Sequence, residues 1–237
     1  LLALGNLEKV TLIGPTSGIP GIFYGPHWIW LLSFGLLFSR DPRVVVFIIQ
    51  TIPYLLLAPL ILLSLLTLAP RRVLVVMWIF FVLNFGLNYA TFPWNPHGAP
   101  FLFILLIFLI TKIKSHTLRR ADFALMGLTG GVVGTLLNVH ISFGIGLLIG
   151  FLVYLCIDTL VVTRSHKEFI KERVILLLCF GTGLGIALAP FFIFEVRHGF
   201  LQTQTLIATL TAGHSVVAVQ GLSKLGIISG FFGRILV

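Results

Sequence analysis

The chain has 237 residues, of which 58% are hydrophobic and only 10% charged, against roughly a quarter charged in an average soluble domain. That excludes a water-soluble globule. Sixteen Lys and Arg stand against seven Asp and Glu, a net charge of +9, but the cations sit in short gaps between apolar stretches, where membrane topology accounts for them better than nucleic acid does.

Residues 1–43 hold one short apolar run, 26–38, with His27, Trp28 and Trp30 at its start. Thirteen residues are too few to cross the roughly 30 Å hydrocarbon core as a helix. The run is expected to lie as a juxtamembrane helix on the outer surface, with its tryptophans at headgroup level. Asp41, in the Ser39–Pro42 turn, reads as a turn former.

Charge-free stretches at 44–70, 73–111, 123–157 and 174–194 follow, each meeting or exceeding the roughly 20 residues of a spanning helix. Turn formers at 91–98 divide the second, and a polar joint around Asn138–Ser142 divides the third. Six spans result: 44–68, 73–90, 100–112, 123–139, 143–163 and 174–194. Pro53 and Pro59 would kink the first. Residues 195–237 then form an extracytoplasmic segment leading into a further, truncated helix.

Ten cations fall in the gaps on one side: Arg71, Arg72, Lys112, Lys114, Arg119, Arg120, Arg164, Lys167, Lys171 and Arg173. Arg40, Arg43 and Arg197 fall on the other, so the ten-cation side is expected to be cytoplasmic. Glycines four apart, 127 with 131, 130 with 134, 146 with 150 and 181 with 185, let helix backbones approach closely in lipid. Cys156 and Cys179 lack partners at metal-ligand spacing and read as packing residues, and Asp158 reads as a paired or snorkelling acid. Gly181–Gly185 follows no strand, so it does not read as a nucleotide loop.

This orientation collects His27, Trp94, Asn95, His97, Asn138, His140, Glu195, Arg197 and His198 at the outer face. Such a one-sided mixture points to a site for a polar or anionic group. No two histidines stand three or four apart, so no metal site is expected. Glu195 and Arg197 directly follow an apolar run, which leaves two readings open: a helix-end ion pair, or Arg197 gripping a phosphate with its fixed guanidinium donors.

Three sequence pieces carry a resemblance. Leu12-Ile13-Gly14-Pro15-Thr16-Ser17 with Gly21-Ile22-Phe23-Tyr24-Gly25-Pro26 comes first, then Trp94-Asn95-Pro96 with Pro100, then the His140 joint with Phe194-Glu195-Val196-Arg197-His198-Gly199-Phe200. In order and spacing, over about residues 10–205, they resemble the bacterial polytopic glycosyltransferases of family 39, relatives of protein O-mannosyltransferases and lipid A aminoarabinose transferases. The resemblance implies an all-α polytopic membrane protein with a GT-C-like helical bundle, in a bacterial plasma membrane, its site facing outside. It implies transfer of a sugar from a polyprenyl-phosphate carrier to an unknown acceptor. An acidic base would activate the acceptor, and cations and hydrogen-bond donors would stabilise the departing phosphate.

Arg197 is then the candidate for the lipid phosphate, with His198 and His140 as donors. Trp94 and Asn95 would shape the sugar pocket, and Glu195 and His27 would line it. The family's acidic Asp-Glu motif is absent here; Glu8 has no acidic neighbour. The catalytic residues are therefore expected upstream of Leu1, in an internal fragment inactive on its own. No organic cofactor or nucleic acid is expected, and a divalent metal is left open. The competing class is a non-enzymatic transporter or assembly subunit, against which stand the few central ionisable residues and the one-sided polar cluster.

Overall fold

A computed structural model describes residues 10–17, 21–52, 95–113, 119–163 and 169–211, with isolated positions between 55 and 79; side chains of 95–96, 159–163 and 169–170 are not included. Helices make up most of the described residues, and no strand occurs among them. Most of the expected span 73–90, of which only 73, 75, 76 and 79 are described, most of 44–68 beyond residue 52, and Trp94 lie outside them.

Helix α1 spans His27–Gly35, and α2 begins at Pro42, runs to Val46 and continues through a π-helical turn at Phe47–Thr51. The Asp41 carboxylate accepts the Arg43 N–H at 2.9 Å, an N-cap, which is the turn role expected of it. At about 1.5 Å per residue, nine-residue α1 extends only about 13 Å, less than half a bilayer core. Trp28 and Leu32 of α1 pack on Val45 and Ile49 of α2.

A 3₁₀ turn at Asn95–Gly98 leads into α3, Ala99–Lys112. The expected span 100–112 is thus a helix, but 14 residues reach only about 21 Å, and α3 is not among the helices long enough to cross. Among the described residues those helices are three: α4 (Arg120–Val139), α5 (Ile141–Thr163) and α6 (Phe169–Arg197). Short α7, Leu201–Thr211, follows.

Asp122 starts α4, its Oδ2 accepting the Arg119 N–H at 2.6 Å. His140 alone, in extended conformation, separates α4 from α5. Its N–H closes α4 on Leu136 O at 2.8 Å, and its own carbonyl accepts the Gly144 N–H at 2.8 Å to open α5. The joint read as Asn138–Ser142 is therefore one residue wide.

α4 is the central helix. Met126, Val133 and Leu136 on it share a core with Ala99 and Leu106 of α3, Phe151 and Leu155 of α5, and Leu176 and Phe180 of α6. Its partner α6 runs parallel, because the contacts climb both helices together. Gly127 faces Cys179 and Gly183, Gly130 faces Phe180 and Leu184, and Gly134 faces Leu184 and Ala187. A Cβ at Gly130 would collide with the Phe180 carbonyl, and one at Gly183 with the Gly127 carbonyl. The expected small-residue packing thus holds for 127, 130, 131 and 134, whereas Gly146, Gly150, Gly181 and Gly185 face open space among the described residues.

Near the end of the bundle that bears Arg119 and Arg173, the basic end, Arg173 Nη1 meets Asp158 Oδ2 at 2.5 Å, with 5% and 18% of the side chains exposed. Asp158 is a paired acid linking α5 to α6, as one of its expected readings held.

Candidate functional site

The opposite end of the bundle, the His140 end, is covered by a narrow ribbon of residues 11–17 and 21–25. Gly14 N–H donates to Tyr24 O at 2.7 Å, Tyr24 N–H to Pro15 O at 2.9 Å and Ser17 N–H to Ile22 O at 2.8 Å. Thr16 and Phe23 form an antiparallel bridge. Glycine is required on both sides of this pairing at the end away from Ser17 and Ile22: a Cβ at Gly14 would strike the Gly25 carbonyl, and one at Gly25 would overlap the Asn138 side chain. The two Gly-Pro pairs, 14–15 and 25–26, therefore mark where the ribbon meets itself and the bundle.

Hydrogen bonds tie the ribbon down in a closed circuit. The Gly25 N–H donates to Asn138 O at 3.0 Å. The buried Asn138 amide donates to Gly134 O at 2.8 Å on its own helix and to Ala187 O at 3.1 Å on α6. Eight residues on, the α6 residue Glu195 holds the start of α7. Its Oε1 accepts the Gln202 N–H at 3.1 Å, and its Oε2 accepts the Thr203 N–H at 3.0 Å and the Thr203 hydroxyl at 2.7 Å. Gln202 Oε1 in turn accepts the Phe23 N–H at 2.7 Å, returning to the ribbon. Trp30 Nε1–H secures the start of the ribbon on Thr11 O at 3.0 Å.

The turn that makes this possible follows from Gly199. It takes φ +63°, and the Phe200 N–H reaches back to Glu195 O at 2.7 Å, the six-to-one bond of a glycine-terminated helix. Phe200 is also left-handed, at φ +61°, uncommon for an aromatic residue, and α7 starts immediately after it. Glu195 then stands where a capping side chain would, its carboxylate on N–H groups of the first helical turn.

The expected site residues divide on this geometry. Glu195 is 1% exposed and its oxygens already accept three hydrogen bonds; among the described residues it forms no ion pair with Arg197. The ion-pair reading is corrected accordingly: the carboxylate serves α7. Arg197, the last residue of α6, is exposed. His198 stacks on Phe194 with ring centroids 4.1 Å apart and places Nδ1 2.8 Å from Phe194 O. His140 Nδ1 accepts the Phe143 N–H at 3.3 Å, leaving Nε2 at the far side of the ring.

His27 opens α1, its ring 5.4 Å from that of Trp30, and burial pushes its pKa below the usual histidine value. His97 is buried in the 3₁₀ turn. That turn meets α1 and α4, since a Cβ on Gly98 would stand 3.3 Å from Trp28 and 3.7 Å from Val139. Asn95 begins the same turn, while its side chain and Trp94 lie outside the described residues. Gln202 was missed by the sequence reading. An amide in a Thr- and Gln-rich stretch carries no motif, and only the reversal at Gly199 brings it over the bundle.

Chemically, this end offers donors: an exposed guanidinium and imidazoles with one nitrogen already fixed. The one carboxylate in the circuit is spent. Among the described residues no three of His, Cys, Asp and Glu gather as a metal site would need. The fold is all-helical, the described residues include three helices long and apolar enough to cross a membrane, and the polar circuit closes one end of them. Comparison with family models, curated proteins and solved structures gives no match.

Proposed function

We propose that the chain is the substrate-holding portion of a polytopic glycosyltransferase of the GT-C type, taking a polyprenyl-phosphate-linked sugar at the extracytoplasmic face of a bacterial plasma membrane. One observation carries the reading. The ribbon of residues 11–25, the His140 joint and the Phe194–Phe200 segment are far apart in sequence, yet Gly25–Asn138 and Phe23–Gln202 hydrogen bonds draw them to one end of the bundle. Those are pieces of sequence on which the family resemblance rests. A bundle of apolar helices beneath them supplies a place for a lipid tail.

In this reading Arg197 holds the carrier phosphate, its exposed guanidinium matching two phosphate oxygens. His198 and His140 add donors. Glu195 is a positioning residue, because it fixes the turn that carries Arg197 and His198. The acidic base comes from outside the described residues.

Binding of citronellyl phosphate, a short polyprenyl-phosphate analogue, to the protein in nanodiscs tests this directly. Arg197→Lys is expected to weaken binding by about ten- to a hundredfold, the equivalent of roughly 1.5–3 kcal/mol for a charge-assisted contact. Wild-type protein that ignores the analogue, or an Arg197→Lys variant that binds it equally well, would overturn the assignment.

A further inference from the structure

Gln202 has one polar end occupied and one open. Its Oε1 accepts the Phe23 N–H, Glu195 accepts its backbone N–H, and the residue is 2% exposed. Its Nε2 is buried without a hydrogen-bond partner. The amide cannot be turned round, because the Phe23 N–H needs an oxygen. A buried amide donor without an acceptor is costly and rare, so this one calls for a specific account.

The rest of the circuit is closed. Asn138 donates to two carbonyls and Glu195 accepts from three donors. A second open atom, the buried His27 Nδ1, lies four residues along the chain from Phe23. Open polar atoms therefore fall where the ribbon enters α1 and where it meets α7, and the exposed Arg197 ends α6 five residues before Gln202 in the chain. A neutral amide donor matches a hydroxyl or ether oxygen, whereas a phosphate is served by the guanidinium.

We infer that Gln202 is a specificity-determining residue whose Nε2 donates to a hydroxyl or ring oxygen of the sugar, while its Oε1 holds the ribbon over the site. This rests on the reading of the chain as binding a sugar-bearing carrier. A site built to hydrogen-bond a hydroxyl rejects a ligand that lacks it far more strongly than an apolar pocket does, because its own polar group is left unpaired.

The test titrates the full chain in nanodiscs with citronellyl phosphate and with citronellyl phosphate linked to a pentose or a hexose. The expected result is that wild-type protein binds a sugar-linked probe more tightly than the bare phosphate, and that Gln202→Met cuts the ratio of the two affinities at least tenfold, whatever uniform change the lost Phe23 bond brings to both. Gln202→Glu keeps an oxygen for Phe23 and removes the donor, so it should show the same fall in that ratio with the Phe23 amide still protected from hydrogen exchange, the repulsion of the phosphate by its added charge falling on both probes alike; it serves if the Met variant does not fold. Sugar-linked binding unchanged by these variants, or an equal loss for both probes, overturns the role of Gln202 and leaves the proposed function standing. Wild-type protein that binds the bare phosphate but gains nothing from the sugar overturns sugar reading, and binding of neither probe overturns the proposed function with it.

Discussion

Glu195 illustrates how a buried carboxylate at the end of an apolar helix can be wholly engaged by the backbone of the next element. Three donors converge on it, two of them N–H groups in the first turn of α7. Glu195→Ala is expected to destabilise the protein by about 1–3 kcal/mol, because those buried donors lose their acceptor, and to expose the Gln202 and Thr203 amides to exchange. Glu195→Gln, which keeps an acceptor oxygen, should lose less; thermal unfolding in detergent compares the two. His27 makes a pH-dependent contribution with a definite sign. Burial depresses its folded pKa, so the native state resists a proton that the unfolded chain takes up near pH 6.5. The contribution is fully present above that pH and is lost as the pH falls through the lower folded value. A stability profile from pH 8 to 5 should show an acid-side loss that His27→Gln reduces; an identical profile for the variant would remove the assignment. The local roles of Asp41 and Asp158 were legible in the sequence, since one sits before Pro42 in a turn and the other inside an apolar run. The commitment of Glu195 was not, because its partners lie beyond a left-handed Gly-Phe turn.

Helices α4 and α6 meet through a seam that the four-residue glycine spacing announces but does not assign. Spacing of this kind appears on α4, α5 and α6, and only packing decides which glycines are used. Gly130 and Gly183 have carbonyls where a Cβ would stand, whereas Gly181 has nothing within 4 Å. Gly130→Val is therefore expected to cost at least about 1–3 kcal/mol through overpacking, and Gly181→Val close to nothing at the α4–α6 contact. Fluorescence-detected size exclusion after heating would separate them. The Asp158–Arg173 pair joins α5 to α6 near the basic end. Asp158→Asn removes a carboxylate from a buried guanidinium, and a loss of about 1.5–3 kcal/mol is expected for that charge-assisted bond, recovered in part by the double change Asp158→Asn with Arg173→Met. Element boundaries followed the sequence closely where capping residues were present, as with Asp122 and His140. At α3 the limits agree as well, 100–112 against Ala99–Lys112, but the helix is shorter than a crossing needs.

Across the molecule, α4 and α6 run parallel with α5 returning between them, so Arg119, Arg120 and Arg173 share one end and His140, Arg197 and His198 the other. The positive-inside rule predicts that the first end is cytoplasmic, the orientation the proposed function requires. Cysteines introduced at residues 115 and 166, in a background without Cys156 and Cys179, should resist an impermeant thiol reagent in intact cells, and one at 199 should react; the reverse pattern would place the proposed site on the wrong side of the membrane. The sequence by itself determined the helical membrane class, the alternation of basic and polar ends and most helix limits, because these depend on local hydropathy, charge and capping. Only the tertiary structure decided which glycines pack, that Glu195 caps α7 and that Gln202 reaches the ribbon. Each of those is a contact between residues that the chain brings together through turns at Gly25, His140 and Gly199, and no local pattern encodes such a meeting.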